Sequence, residues 1–247
     1  MESGFYAACT ALMSRTQALD TVANNLANAS TAGYRAQYNV FRSALANASG
    51  RPMSELNQAT NDYGVLSGTR LDLSQGPLEK TGNDLDFGIE GSGFFVVQTP
   101  SGRFFTRNGQ FKVSAQGQLV TQEGDPVMGE QGIIPVVGAG PLSVSPDGTV
   151  STNGAVVGRL KLVDFAPTAN LQTVGKTYYS APPADEQPAT KASVHQGKLE
   201  ASNVNPVTSV VNLIGIQRTA EMMRHALSMF YSQMDKTATQ DLPQTGS

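Results

Sequence analysis

Apolar side chains recur at helical spacing at both ends of the chain and at strand spacing between them. Near the N-terminus Phe5, Leu12, Leu19 and Leu26 repeat every seven residues, and Cys9, Thr16 and Ala23 follow the first three by four. This is the a/d spacing of a coiled-coil seam, and it predicts a helix over residues 3–29. The seam is thin, because Thr16 and the alanines bury little area. Ser30, Thr31 and Gly33 stop the pattern, with Gly33 a candidate for the helix C-terminus. Toward the other end, Val210, Leu213, Gln217, Ala220, Met223, Leu227, Phe230 and Met234 follow at steps of three or four. A second stripe runs through Val211, Ile214, Met222, Ala226 and Met229. Asn203 or Asn205 can cap this helix, and Pro206 suits its first position. A helix apolar over most of its circumference must be covered on several sides, and one short partner helix cannot do that.

The stretch 65–185 is written in strands and turns. Phe94–Gln98, Arg103–Arg107 and Gln118–Thr121 are short strand candidates, and Val156–Phe165 is the longest. Pro100-Ser101-Gly102, Asn108-Gly109, Gln116-Gly117, Pro146-Asp147-Gly148 and Asn153-Gly154 supply turn signals between them. The expected fold is α+β: a central antiparallel β-domain flanked by N- and C-terminal α-helices that pair as a coiled-coil-like inner domain. Expected boundaries are a helix over 1–35, a loop or extension over 36–64, the β-domain over 65–185, a connector over 186–203 and a helix over 204–247. The Ser/Ala/Asn-rich part, 42–62, reads as a loop.

Composition narrows the chemistry. Charged residues make up 15% of the 247, against about 25% in a typical domain. With net charge -3 and no Lys/Arg cluster, the chain has no electrostatic footprint for nucleic acid. The single cysteine, Cys9, excludes an internal disulfide framework and reads as a small core residue. With His195 and His225 it cannot make a structural zinc site. The alternating carboxylates of Asp84-Leu85-Asp86 lack the remaining ligands of a calcium loop and read as a polar turn. Gly91-Ser92-Gly93 lacks the flanks of a nucleophile elbow, and no Walker loop occurs. Asn28-Ala29-Ser30 and Asn47-Ala48-Ser49 match the glycosylation pattern, a short match common by chance. No apolar run is long enough to span a membrane as a helix, and the first twenty residues do not read as a cleaved secretory signal. Neither catalytic residues, nor a cofactor, nor a small-molecule substrate is indicated. By itself this composition would assign a cytoplasmic location.

Three blocks carry a resemblance. Thr21–Arg35, TVANNLANASTAGYR, resembles the N-terminal signature of the flagellar rod, hook and hook-associated axial proteins. Asp86–Gly93 (DFGIEGSG), with Phe105–Gly109 and Gly117–Thr121, resembles the start of that family's central β-domain. Leu199–Asn205 (LEASNVN), with Val211–Ile214 and Gln217-Arg218, resembles the start of its C-terminal helix. The blocks stand in the family's order and span the chain. Length, ASTAGYRAQ at 29–37 and DPVMGEQGIIPV at 125–136 are more like the proximal than the distal rod type.

The resemblance implies a structural subunit of the flagellar basal-body rod that polymerises with itself and with other rod subunits into a helical axial assembly. It also implies export through the flagellar type III apparatus without a cleaved signal, and a place in the periplasmic span of the basal body. Assembly contacts are then expected at Phe5, Leu12, Leu19, Leu26, Asn24, Asn25, Asn28, Val210, Leu213, Ile214, Met222 and Leu227. Gly33, Tyr34, Arg35, Asn203 and Asn205 are signature turn positions. Two other readings are a peptidoglycan-acting enzyme, opposed by the absence of paired acid/base residues, and a soluble binding module, opposed by the apolar terminal helices.

Overall fold

The computed structural model describes residues 2–42, 65–136, 140–166 and 169–240. The loop expected at 42–62 lies outside them, apart from Arg42, which ends a strand. The chain forms two compact units. One carries the two long helices and the strand Gln37–Arg42; the other runs over 27–36 and 70–205. The fold is α+β, with a β-rich body.

In the helical unit, α1 spans Glu2–Ala27 and α2 spans Pro206–Gln240. Among the described side chains of α1 the most covered are Ala11, Ala18 and Asn25, one heptad apart. Leu12, Leu19 and Leu26, one place further on, are half-buried. Small residues on the covered line let a neighbouring backbone come close, and Asn25 shows this. Its Nδ2 donates to the Gln37 carbonyl at 2.7 Å, and the Gln37 amide donates to its Oδ1 at 2.9 Å. Asn25, expected among the assembly contacts, therefore pairs like a rung with the strand Gln37–Arg42. That strand pairs with Val65–Leu71. Pro206 opens α2, where its missing N–H costs nothing.

The β-rich unit is built on a six-stranded antiparallel sheet. Its order is Gln172–Val174, Tyr178–Ser180, Gly102–Thr106, Phe94–Thr99, Leu162–Phe165, Glu186–Pro188. Successive strand residues point to opposite faces, and here both faces are covered. Phe94 and Val96 join Phe105, Val163, Phe165 and Tyr179 on one side. Phe95 and Val97 join Phe87, Ile89, Phe111, Leu119 and Val127 on the other. Edge-on aromatic pairs fix each layer: Phe105–Phe165 at 4.8 Å and Phe95–Phe111 at 5.1 Å between ring centroids.

The turn signals resolve unequally. Pro100-Ser101 is the two-residue loop between paired strands, with Thr99 opposite Gly102. Asn153-Gly154 turns Thr149–Thr152 into Ala155–Arg159, both residues having positive φ (53° and 79°) as a type I′ turn requires. Asn108-Gly109 makes no such turn. Gly109 lies against the Phe87 backbone, where a Cβ would stand 1.7 Å from the carbonyl oxygen, so glycine is there for close approach. The long strand expected over 156–165 is two strands. Ala155–Arg159 belongs to a three-stranded sheet with Thr149–Thr152 and Leu142–Val144, and Leu162–Phe165 belongs to the six-stranded one. Residues 186–203, expected as a connector, hold three short strands: Glu186–Pro188, Ser193–Gln196 and Lys198–Glu200. The last two pair with Phe87–Glu90 and Leu78–Lys80, and Val194 enters the core.

Candidate assembly surface and its buried anchor

The three signature blocks converge inside the β-rich unit on one carboxylate. Glu200 ends the strand Lys198–Glu200 with its side chain fully buried. Its Oε1 lies 2.7 Å from Arg35 Nη1 and its Oε2 2.9 Å from Arg107 Nη1. Oε1 also accepts from the Gly76 amide at 2.8 Å, and the Glu200 carbonyl accepts from the Gly33 amide at 2.7 Å. Arg35 Nη1 further donates to the Ser74 carbonyl, and Arg107 Nη2 donates to Gly91 O at 2.7 Å. The Arg107 guanidinium lies over the Phe94 ring at 5.2 Å. The Arg35 amide donates to Tyr179 Oη at 3.1 Å.

Two buried guanidiniums thus share one carboxylate. Arg35 Nε, Arg35 Nη2 and Arg107 Nε have no hydrogen-bond partner among the described residues. Burial lowers the Arg107 pKa to about 10, against the upward pull of Glu200. Burial pushes the phenols of Tyr34 and Tyr179 up. Gly33 is not the helix cap, since α1 ends at Ala27. Its φ of +70° and the 2.2 Å that a Cβ would leave to the Asn108 amide nitrogen make it the contact by which this segment meets Arg107-Asn108.

Asn203 works beside this group rather than as a cap. Its Oδ1 accepts from the Ala36 amide at 2.7 Å. Its Nδ2 donates to the carbonyls of Asp72 (3.0 Å) and Ser74 (2.9 Å). Residues 33–36, 72–76 and 200–203 are thereby bound to one another. The pattern in sequence points to Gly33, Tyr34, Arg35 and Asn203. It does not single out Glu200 or Arg107, although both lie inside the resembling blocks Leu199–Asn205 and Phe105–Gly109.

On α2 the two apolar stripes part company. Leu213, Ile216 and Met223 are half-buried, and Ala220 and Leu227 are buried. Val207, Val210, Val211, Ile214, Met222, Met229 and Tyr231 are exposed, Val211 and Met222 at 65% each. Met222, Ala226 and Met229 line a shallow depression with Glu221 and His225. Of the other expected assembly residues, Asn24 is exposed and Asn28 is buried; the signature residue Asn205 is exposed. Phe5 lies on α1, its side chain outside the described residues.

Two further chemistry candidates have structural partners. Asp86 accepts from Asn83 Nδ2 at 3.1 Å within its turn. His195 has a carboxylate that sequence distance conceals: strand pairing sets its Nε2 2.6 Å from Glu90 Oε2 on the surface. Among the described residues no His/Cys/Asp/Glu group could hold a metal ion, and no helix is long and apolar enough to cross a membrane.

Comparison with known proteins follows the same three blocks. Residues 5–35 match the family described as flagella basal body rod protein, and 88–152 match the flagellar hook protein FlgE/F/G D1 domain. Residues 195–240 match the flagellar basal body rod FlgEFG protein C-terminal family. The flagellar basal-body rod protein FlgF of Caulobacter vibrioides is 38% identical over 227 residues, 90% of each chain. The chain belongs to the flagellar basal-body rod proteins. The FlgF protein of Mesorhizobium japonicum is 35% identical over 92% of this chain and 95% of its own. A protein named FlgG, from Buchnera aphidicola subsp. Schizaphis graminum, is 32% identical over 83% of this chain and 86% of its own. Within the family, the buried anchor lies where the three matched segments meet: Arg35 closes the first, Arg107 is in the second, and Glu200 is in the third.

Proposed function

We propose that this chain is a structural, non-catalytic subunit of the flagellar basal-body rod, of the proximal type, polymerising through its terminal helices into the axial shaft that carries torque to the hook. The carrying observation is the exposed apolar line Val207, Val211, Ile214, Met222 and Met229 on α2. Exposed apolar side chains gathered on one helix face mark an interaction surface, and here Arg218 and His225 stand on the same face between them. Heterologous contacts through such a face build open helical stacks. The low charge fits, because interface cores are depleted of charged residues. Leu12, Leu19 and Leu26 on α1 and Val210, Leu213 and Leu227 on α2 take part in the same assembly. Partners are further copies and other rod subunits, and the flagellar export apparatus during secretion; the location is the basal body. Relatives named FlgF at 38% and 35% identity support the proximal type, and the FlgG relatives keep the distal type as the second reading.

The test is paired. Met222→Gln and Ile214→Gln lower incorporation into basal bodies, read by immunoblot. Both leave the melting temperature of the purified monomer nearly unchanged, since exposed changes cost within about 0.5 kcal/mol. Leu213→Gln, on the covered line, lowers the monomer's Tm. Normal incorporation of Met222→Gln overturns the proposal.

A further inference from the structure

The chain passes between its two units after residues 26, 36, 69 and 205. On the β-rich unit, three of these passages lead directly into stretches that Asn203 and Glu200 hold together: 33–36, 72–76 and 198–203. The stretch 72–76 belongs to no strand. Its backbone bonds run to its neighbours in this group: the Asp72 amide donates to Ala36 O at 2.8 Å, the Gly76 amide to Glu200 Oε1, and the Asp72 and Ser74 carbonyls accept from Asn203. Among the described residues it is tied to the sheets by the three-residue pairing of Leu78–Lys80 with Lys198–Glu200 and by the Gln75 side chain, which donates to Ile89 O at 3.0 Å and accepts from the Gly91 amide at 2.9 Å. The strands Phe94–Thr99 and Gly102–Thr106, in contrast, are paired along their length and covered on both faces. Segments with few ladder bonds open locally at lower free energy than such a core.

We propose that 33–36, 72–76 and 198–203 form a latch that opens and closes as one piece, with Asn203 as its pin, while the aromatic core stays shut. Closed, the latch fixes where on the β-rich unit the chain leaves toward Gln37, arrives at Arg70 and leaves toward Pro206. Because Glu200 and Asn203 lie late in the chain, the latch cannot close until that part of the chain is present. Before then Arg35 and Arg107 lack their shared counter-charge.

Native-state hydrogen exchange on the full-length chain tests this. In the wild type, 33–36, 72–78 and 198–204 exchange through a common opening, faster than 94–106. Asn203→Ala speeds exchange in all three segments about tenfold and leaves 94–106 unchanged, as expected for a sub-global unit. Asn203→Asp keeps an acceptor for the Ala36 amide and loses the bonds donated to Asp72 and Ser74, so 72–78 speeds up while Ala36 stays protected. Different opening rates for the three wild-type segments overturn the latch, and that measurement decides even if a variant does not fold. A rise confined to 200–204 in Asn203→Ala, or an equal rise in 94–106, overturns it as well.

Discussion

Glu200→Gln removes the charge that two buried guanidiniums share and leaves both uncompensated. Breaking a buried pair in this way costs about 3–5 kcal/mol, so the urea midpoint of the full chain falls steeply. Arg103→Gln breaks the half-exposed pair with Glu186 and costs about 0–1 kcal/mol; comparable losses at the two sites contradict the counter-charge role. Gly109→Ala drives a methyl into the Phe87 carbonyl and costs about 1–3 kcal/mol or more. Gly158→Ala, whose Cβ meets only ordinary contacts at 3.8 Å, is close to neutral by the same assay. At this scale the sequence shows which residues are unusual but not what they do. Gly33, Arg35 and Asn203 stand in a visible motif, yet Gly33 reads as a helix cap when only its neighbours are known. Glu200 is not singled out in the sequence, because its burial depends on Arg35 and Arg107, which are remote in sequence.

Among the elements, those set by local chemistry are the legible ones. The Asn153-Gly154 turn follows from two residues that tolerate positive φ, and Pro206 marks the start of α2. The break in 155–165 is not local. Nothing in AVVGRLKLVDF stops a strand; the two halves part because they pair with different sheets. Helix faces are legible as apolar stripes but not as covered or bare, so the periodicity that finds Leu213 and Met222 cannot rank them. The turn between Leu142–Val144 and Thr149–Thr152 carries a pH-dependent contact. The Asp147 carboxylate accepts from the Thr149 hydroxyl at 2.7 Å and from its amide, which holds its pKa below the usual carboxylate range. Its contribution is present above the ordinary aspartate range and is lost as pH falls through the lowered folded value. Thr149→Val raises the Asp147 pKa toward normal in an NMR titration of the side-chain carbon, and an unmoved titration rules this contact out as the cause.

For the molecule as a whole, the domain expected at 65–185 is too short at both ends. It omits Arg35, Val194, Leu199 and Glu200, all buried in the β-rich unit. A fragment spanning 27–205 unfolds in one cooperative thermal transition, and a 65–185 fragment does not; a sharp transition in the shorter piece refutes the assignment of the end segments to this unit. Composition shifts suggest a boundary only where the chain changes character, and here strands after 186 return to pair with strands before 91. The phenols around the buried anchor give the molecule a built-in optical probe. The chain has 7 tyrosines and no tryptophan, so tyrosine emission is not drained to an indole. Tyr34 and Tyr179 are buried beside Arg35, and Tyr178 bonds Thr121 and Asp125. Ultraviolet absorbance and fluorescence can therefore follow the closing of this region without an attached dye.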